Sequence, residues 1–302
     1  MEVLLLADQP GWAWAHRASD LMSINFDKIH FNFDYWTHVA TENALKYDTI
    51  YAPSIPIAKK LIKRGIPSKK IAAGFSSMRS VYNFIDKKGI VSQSFITFVN
   101  TLKGVNTGSD EIFNLFKGSI PIFKTRTGIF EDVFKPAYRL KKESEPFRIG
   151  WVGRMDKEAY RQHKGYDIVL EALQGLNVEL EIRTFHKNRV PRQEMVSFYQ
   201  SLDLFICSSR SEQHPMPILE SAACGIPIVS TRVGIVPELI QSGFNGMIVP
   251  RNAKSIREAV NCLIIDPETL KKYSNNIRKT IVENWTWNIC KKDWEEFFIG
   301  IS

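Results

Sequence analysis

Two basic side chains in the second half of the chain have a spacing suited to binding phosphate groups. Arg154 follows Gly153 directly, and ten residues further on Lys164 precedes Gly165, where a helix is predicted to begin. A helix N-terminus carries partial positive charge and free backbone N–H groups, so two cations beside it can bind a diphosphate. Taken singly, a residue of either kind is more often a solvated surface charge.

Two glutamates, Glu212 and Glu220, stand on either side of a turn that contains two prolines. Pro217 suits the first position of a helix, which places Glu220 in the first turn of that helix. A carboxylate at this place can accept hydrogen bonds from two hydroxyl groups, such as those of a ribose. The alternative is a first-turn acid that only complements the helix dipole, and the residue types alone leave both possibilities open.

These residues need strands and helices to position them, and the chain alternates short apolar strands with helical patterns throughout. That alternation predicts parallel sheets covered by helices on both faces. The predicted strands are 3–7, 29–33, 49–52, 70–74, 95–100, 120–123, 147–152, 178–185, 204–207, 228–230 and 247–249. Ligands bind beyond the carboxyl ends of such strands, which is where Arg154, Glu212 and Glu220 fall. Gly11, after the first strand, is a candidate for close approach to a ligand, or a plain turn residue.

The length of 302 residues fits two domains. A charged segment, 136–146, is bracketed by prolines and is typical of a linker. The pattern after it makes a complete doubly wound domain by itself. The tail from Trp285 to Ile299 carries five aromatic residues on a helical pattern, too much aromatic surface to leave in water.

The formal net charge of +8 is concentrated in the first part of the chain. Residues 1–140 contain 18 basic and 12 acidic side chains, and residues 141–302 contain 22 and 20. The stretch 59–70 is the densest basic segment. Such a surplus can attract an anionic membrane surface, nucleic acid or a phosphorylated substrate, and an ordinary solvated helix face explains the stretch 59–70 as well.

Several other classes of site are not indicated. No run of about 18 apolar residues occurs and the N-terminus lacks a signal-peptide pattern, so we expect a cytoplasmic protein. The cysteines, Cys207, Cys224, Cys262 and Cys290, are widely spaced within apolar segments, which predicts buried free thiols rather than a zinc site or disulfides. No aspartate cluster has metal-ligand spacing, so no metal is expected.

A longer pattern in the second half resembles a known family. The block from Glu212 through Glu220 continues into 221–231 and is followed by Pro237-Glu238 and by 243–250. It resembles the donor-site signature of the family-4 retaining glycosyltransferases of the GT-B fold. Gly153-Arg154 and Lys164-Gly165 occupy the matching upstream place, and 128–136 resembles the segment leading into that family's interdomain linker. The likeness runs from about residue 124 to 300 and is weak before that.

The resemblance implies an α/β protein with two facing, doubly wound Rossmann-like domains and a cleft between them. The domains would be 1–140, on the acceptor side, and 141–287, which binds a nucleotide sugar. A C-terminal helix, about 288–302, would cross back to the first domain and bury its aromatic residues there.

The same resemblance implies a reaction and assigns residues to it. A hexose would pass from a nucleoside diphosphate sugar, with uridine expected over guanosine, to an acceptor hydroxyl with retention of configuration. The acceptor would be a glycan, a lipid-linked molecule or a small molecule, without a metal or tightly bound cofactor. Arg154 and Lys164 would bind the diphosphate, Glu220 the ribose, and Glu212 the sugar. The adjoining residues of the donor site would be His214, Pro215, Met216 and Pro217.

The chain departs from the family pattern at one place that matters for function. Gln213 and His214 follow the first glutamate, where the family usually has a glycine and an apolar residue. Two alternatives therefore stand beside the transferase. One is a binding protein that keeps the fold and has lost the chemistry, and the other is a glycosyltransferase that acts on nucleic acid.

Overall fold

The structure is a computed structural model that describes residues 1–78, 81–137, 145–184 and 190–302. These residues form two compact units, the first made of Met1–Gly128 with Trp287–Ser302 and the second of Ile129–Thr286. The domain boundary expected between residues 140 and 141 lies outside the described residues, as does most of the linker expected at 136–146.

The first unit is built on six parallel strands. The strands are β1 (Glu2–Ala7), β2 (His30–Tyr35), β3 (Thr49–Ala52), β4 (Ile71–Phe75), β5 (Gly104–Thr107) and β6 (Ile122–Lys124). The helices between them are α1 (Ala13–Ser23), α2 (Thr41–Ala44), α3 (Ile55–Lys63), α4 (Gln93–Val99) and α5 (Asp110–Phe116), with 3-10 turns at Ser68–Lys70 and Tyr82–Phe84. The order across the sheet is β2-β1-β3-β4-β5-β6, so the direction of winding reverses between β1 and β3.

The second unit has a five-stranded parallel sheet. Its strands are β7 (Phe147–Gly153), β8 (Val178–Thr184), β9 (Leu204–Cys207), β10 (Ile228–Ser230) and β11 (Met247–Ile248). Its helices are α6 (Glu158–Lys164), α7 (Tyr166–Leu173), α8 (Arg192–Gln200), α9 (Met216–Ala223), α10 (Val236–Leu239), α11 (Ala253–Ile265) and α12 (Pro267–Asn284). The order is β11-β10-β9-β7-β8, which reverses between β7 and β9.

Apolar residues fill the faces of both sheets, as parallel strands require. In the first unit Leu4, Ile50 and Phe75 belong to one buried cluster. The second unit has one cluster around Phe205 and another around Trp151. The expectation of two doubly wound α/β domains is confirmed.

One predicted strand is wrong. Residues 95–100 lie in α4 and just beyond it, and the helix buries Phe95 and Val99, which are four positions apart and therefore share one face. The strand that occupies this place in the sheet is β5, and its polar residues Asn106 and Thr107 are buried. β5 was not predicted because the strands were predicted from apolar runs, and this strand contains buried polar residues.

The last helix, α13 (Trp287–Gly300), belongs to the first unit, so the expected crossing of the C-terminal helix is confirmed. Trp287, Trp294, Phe297 and Phe298 are buried. The Trp294 ring lies 5.7 Å from the Tyr51 ring, and its indole N–H donates to the Arg126 carbonyl at 2.9 Å. Trp285 differs, because it packs in the core of the second unit.

All four cysteines are unbridged, and three of them are buried as expected. Burial raises the pKa of Cys224 and of Cys290 to about 12, so both remain protonated thiols. The expectation is wrong for Cys262, which is exposed on α11.

Candidate functional site

The polar residues singled out in the second half lie after two adjacent strands. β7 and β9 pair in parallel, with Ile149 opposite Leu204, and the winding of the sheet reverses between them. A crevice forms at the carboxyl ends of strands at such a reversal. Arg154 and Lys164 follow β7, and Glu212 and Glu220 follow β9, so the structure places all four at this edge of the second unit.

Lys164 and Glu212 form an ion pair, with 2.5 Å between Nζ and Oε1. The side chains are 27% and 17% exposed. Burial alone would raise the pKa of Glu212, but the charge and hydrogen bond of Lys164 lower it below 4.5. Burial likewise opposes the charge on Lys164, yet the Glu212 carboxylate raises its pKa above 10.5. Both groups are therefore charged at neutral pH.

Hydrogen bonds tie the loop after β9 to the end of α6. The Ser208 hydroxyl donates to the Lys164 carbonyl at 2.8 Å, and His163 Nε2 lies 2.8 Å from the Ser211 carbonyl. Gly165, with φ of 74°, ends α6 and begins α7. A Cβ there would lie 2.4 Å from the Ser208 carbonyl, so this junction requires glycine. These contacts hold the Lys164 backbone against the second loop.

Arg154 is paired with a carboxylate on its own loop. Its Nε donates to Asp156 Oδ1 at 2.5 Å and its Nη2 to Oδ2 at 2.8 Å, a two-pronged contact. The guanidinium carbon also lies 3.9 Å from the centre of the Tyr160 ring. Stacking and pairing orient the same planar donors that could bind a phosphate group.

Glu220 is 6% exposed and binds two side chains of α8. The Tyr199 hydroxyl donates to Oε2 at 2.8 Å, and Arg192 Nε donates to Oε1 at 3.3 Å. Burial, together with the neighbouring Glu220 carboxylate, raises the pKa of Tyr199 well above 10, so the phenol keeps its proton and acts as donor. Glu220 is thus held in a fixed orientation.

The expectation that Glu220 lies in the first turn of its helix is wrong. α9 begins at Met216 with Pro215 as its N-cap residue, and no acidic residue lies in its first turn. Glu220 is the fifth residue of the helix, one turn deeper than a residue that would complement the helix dipole. Its contacts come from α8 instead.

The two unusual residues after Glu212 are packed inside the unit. Gln213 and His214 are 6% and 8% exposed. The Gln213 carbonyl accepts from the Ile235 N–H at 2.9 Å, and a Cβ on Gly234, with φ of 49°, would lie 2.1 Å from that carbonyl. The backbone at Gly234 therefore packs directly against the Gln213 carbonyl and leaves no space for a side chain at position 234.

Residues 171–280, all within the second unit, match the family model described as "Glycosyl transferases group 1". The second unit is similar to group 1 glycosyl transferases. Curated relatives include "Uncharacterized glycosyltransferase MJ1178" of Methanocaldococcus jannaschii, 26% identical over 47% of this chain and 44% of the relative. "Alpha-maltose-1-phosphate synthase" of Mycolicibacterium smegmatis is 27% identical over 38% and 32%. The chain thus spans less than half the length of these relatives.

Solved glycosyltransferase structures share the fold of the whole chain. Sucrose-phosphate synthase from Thermosynechococcus elongatus has a TM-score of 0.76 at 12% identity and covers 100% of this chain and 99% of its own. Anabaena HepE, solved in complex with UDP and glucose, has a TM-score of 0.73 at 16% identity, covering 99% and 100%. The family match thus concerns the second unit, and these neighbours show that the chain has the GT-B fold.

The region that matches the group 1 glycosyl transferases contains Glu212 and Glu220 and excludes Arg154 and Lys164. The assignment of these two cations to the site therefore depends on the geometry of the structure. Lys164 is connected to the matched region by its ion pair with Glu212. Gly11 lies in the first unit, in the loop after β1, with φ of 71°.

Four residues that contact these side chains were not predicted from the sequence: Asp156, Tyr160, Arg192 and Tyr199. Asp156 could have been found, since it is two positions from Arg154 and oppositely charged. Tyr199 carries no such signal, because only the packing of α8 beside α9 brings it to Glu220. Among the described residues, no group of three or more His, Cys, Asp and Glu side chains could hold a metal ion.

Several lysine side chains of the basic stretch 59–70 contact other groups of the first unit. Lys59 Nζ lies 4.7 Å from the centre of the Phe84 ring, and Lys60 Nζ 4.5 Å from that of Trp36. Lys70 donates to the Leu45 carbonyl at 2.7 Å. Within the described ranges, no helix has the length and apolar character needed to cross a membrane.

Proposed function

We propose that this chain is a retaining hexosyltransferase that uses a nucleoside diphosphate sugar, with UDP as the nucleotide. The observation that carries the proposal is the Lys164 and Glu212 ion pair at the winding reversal of the second sheet, in a unit whose residues 171–280 match group 1 glycosyl transferases. The UDP complex of Anabaena HepE supports uridine over guanosine.

In the proposed reaction the bond between the anomeric carbon and the diphosphate oxygen breaks, and the acceptor hydroxyl oxygen bonds to that carbon on the same face. The hydroxyl proton passes to the leaving phosphate, so no protein base is required. Negative charge grows on the diphosphate as the sugar becomes oxocarbenium-like. Arg154 and Lys164 stabilise that charge, and one preorganised donor of this kind contributes about 3–4 kcal/mol.

Binding of the diphosphate requires both cations to exchange or share partners. Lys164 Nζ turns from Glu212 toward a phosphate oxygen, which leaves the Glu212 carboxylate able to accept hydrogen bonds from sugar hydroxyls. Arg154 makes the corresponding exchange with Asp156. Because each pair is partly exposed, the exchange costs little, since pairs of this kind contribute about 0–1 kcal/mol. The backbone of residues 214–217 completes the proposed sugar site.

Thermal unfolding in the presence of UDP, GDP and UDP-sugars tests the donor assignment. At a ligand concentration one hundred times the dissociation constant, about 2.7 kcal/mol of stabilisation is expected. Arg154→Ala and Lys164→Ala should each lose this stabilisation while remaining folded, and Lys254→Ala, an exposed residue of α11, should retain it.

Turnover then separates the transferase from its alternatives. A transferase hydrolyses its sugar donor slowly without acceptor, whereas a chain that binds UDP and never cleaves the sugar is a binding protein. Salt-sensitive binding to duplex DNA would favour a nucleic-acid acceptor. No stabilisation by any nucleotide would overturn the proposal.

We also propose a cytoplasmic location with peripheral docking of the stretch 59–70 on an anionic membrane. The support is its charge, with Lys63 and Lys69 exposed. Binding to vesicles that contain anionic lipid should weaken as salt is raised. Salt-independent binding, or none, would contradict it.

A further inference from the structure

Arg17 is a buried cation in the first unit whose donors are incompletely used. The residue is 6% exposed, and its Nε has no hydrogen-bond partner among the described residues. The guanidinium carbon lies 4.2 Å from the centre of the Trp14 ring. Burial lowers the pKa of Arg17 to about 10, although Tyr51 and Asp20 act in the opposite direction, so the side chain remains charged at neutral pH.

The surrounding polar groups are engaged elsewhere. The Tyr51 hydroxyl donates to Asn106 Oδ1 at 3.0 Å, and the Asn106 amide donates to Thr125 Oγ1 at 2.8 Å. Asp20, also 6% exposed, accepts from the Trp287 indole at 3.4 Å. An unpaired donor in a buried place is costly, and a buried charge more so. Among the described residues of the first unit, Arg17 is the charged side chain that has such an atom.

The position is one where open α/β sheets bind ligands. The winding of the first sheet reverses between β1 and β3, and the loop after β1 leads into α1 at that edge. Tyr51 lies in β3, and its ring is 5.6 Å from that of Trp14, in the first turn of α1. Because Arg17 stacks on Trp14, its guanidinium points back toward the N-terminus of α1.

The start of α1 adds to the positive potential there. Its N-cap residue Trp12 makes no side-chain capping bond, and its first turn has no acidic residue. The backbone N–H groups of that turn therefore have no side-chain carboxylate of their own turn to complement them. A planar guanidinium beside such N–H groups matches an oxyanion, which accepts two parallel hydrogen bonds.

We propose that Arg17 and the first turn of α1 form an oxyanion-binding site in the first unit, which binds a phosphate or carboxylate group of a ligand. This site is separate from the residues assigned to the donor in the second unit. If the proposed transferase function holds, the ligand is an acceptor that carries a negative charge.

The test is unfolding of the full chain in inorganic phosphate, in acetate and in chloride at matched ionic strength. Phosphate could also bind at the proposed diphosphate site, so the titrations are repeated with Lys164→Met. Phosphate or acetate should stabilise the unmodified protein saturably, beyond chloride, and a saturable stabilisation should persist in Lys164→Met. Stabilisation by phosphate alone identifies a phosphate ligand, and stabilisation by both ions identifies a site that also accepts carboxylates.

The decisive variants are Arg17→Met and the matched control Lys28→Met, which removes one exposed charge from the same unit. Arg17→Met should weaken anion binding at least tenfold and, without anion, should not lower the unfolding midpoint, because it removes a buried charge. Lys28→Met should bind as before. Arg17→Lys keeps the positive charge but lacks the paired N–H donors of the guanidinium, so it should bind the anion with intermediate affinity. This variant replaces Arg17→Met in the test if Arg17→Met does not fold.

Two results would overturn the site. One is the absence of any saturable anion effect on the unmodified protein. The other is anion binding that survives in Arg17→Met and disappears in Lys164→Met, which would place the anion in the second unit. In either case nucleotide binding measured separately shows whether the proposed function still stands.

Discussion

Replacing Glu220 by glutamine tests the assignment of this carboxylate to the ribose of the nucleotide. A carboxylate offers about four lone-pair positions, and Tyr199 and Arg192 occupy two of those on Glu220. Under the proposal, the two ribose hydroxyl groups donate to the same two carboxylate oxygens. Glutamine keeps the shape, but its nitrogen cannot accept a hydrogen bond. Its oxygen is expected to face Arg192, because the other orientation would set an NH₂ group against the guanidinium.

The magnitude follows from these contacts. With the amide oxygen toward Arg192, the NH₂ group faces Tyr199, whose hydroxyl oxygen can accept. One acceptor position is lost for the ribose, and the other changes from a charged to a neutral acceptor. Hydrogen bonds to charged groups contribute about 1.5–3 kcal/mol, so the expected loss is about 1–3 kcal/mol. The dissociation constant for UDP should rise about 5- to 150-fold.

Calorimetry with bare UDP is the assay, because the ribose is present with or without a sugar. Glu258→Gln, at an exposed position of α11, is the control and should leave the affinity unchanged. Glu212→Gln should also leave UDP affinity nearly unchanged and should lower turnover of the sugar donor, since its contact belongs to the transferred sugar. If Glu212→Gln weakened bare UDP as much as Glu220→Gln did, the division of roles between the two glutamates would be refuted.

Two further predictions concern stability. Trp294→Ala should lower the free energy of unfolding by about 3–5 kcal/mol, the usual cost of truncating a buried aromatic, while Ile299→Ala, at a half-exposed position of the same helix, should change it by less than about 1 kcal/mol in denaturant titrations. Glu212→Gln should lower the free energy of unfolding by about 0–1 kcal/mol near neutral pH, the range for a partly exposed ion pair. The folded pKa of Glu212 lies below 4.5, so the carboxylate stabilises the fold above that value and loses its effect as pH falls through the folded pKa. Lys164, with a folded pKa above 10.5, contributes below that value and loses its effect as pH rises through the folded pKa. The free energy of unfolding of the unmodified protein and of Glu212→Gln should be measured from pH 3 to pH 11. The difference between the two proteins should shrink toward both ends of this range, and a difference that stays constant would contradict the ion pair.

The sequence by itself was sufficient to predict those strands that depend on a local pattern of residues. The strands β3, β9 and β10 were predicted with the bounds that the structure shows, because each is a short apolar run between clear breaks. The edge of the second sheet where Arg154, Lys164, Glu212 and Glu220 lie was also predictable, since the carboxyl ends of parallel strands meet at one edge.

Tertiary structure alone decided which groups these residues contact. β5 is a central strand with buried polar residues, and its pairing with β4 depends on neighbours about 30 positions away in sequence. Tyr199 reaches Glu220 because α8 packs beside α9, and buried Arg17 lies over Trp14 of α1, whose ring contacts Tyr51 of β3. Residue type and spacing report what a side chain can do, whereas burial and partners depend on contacts between segments that are distant in sequence. For that reason the proposed donor site could be predicted from the chain, and the buried arginine of the first unit could not.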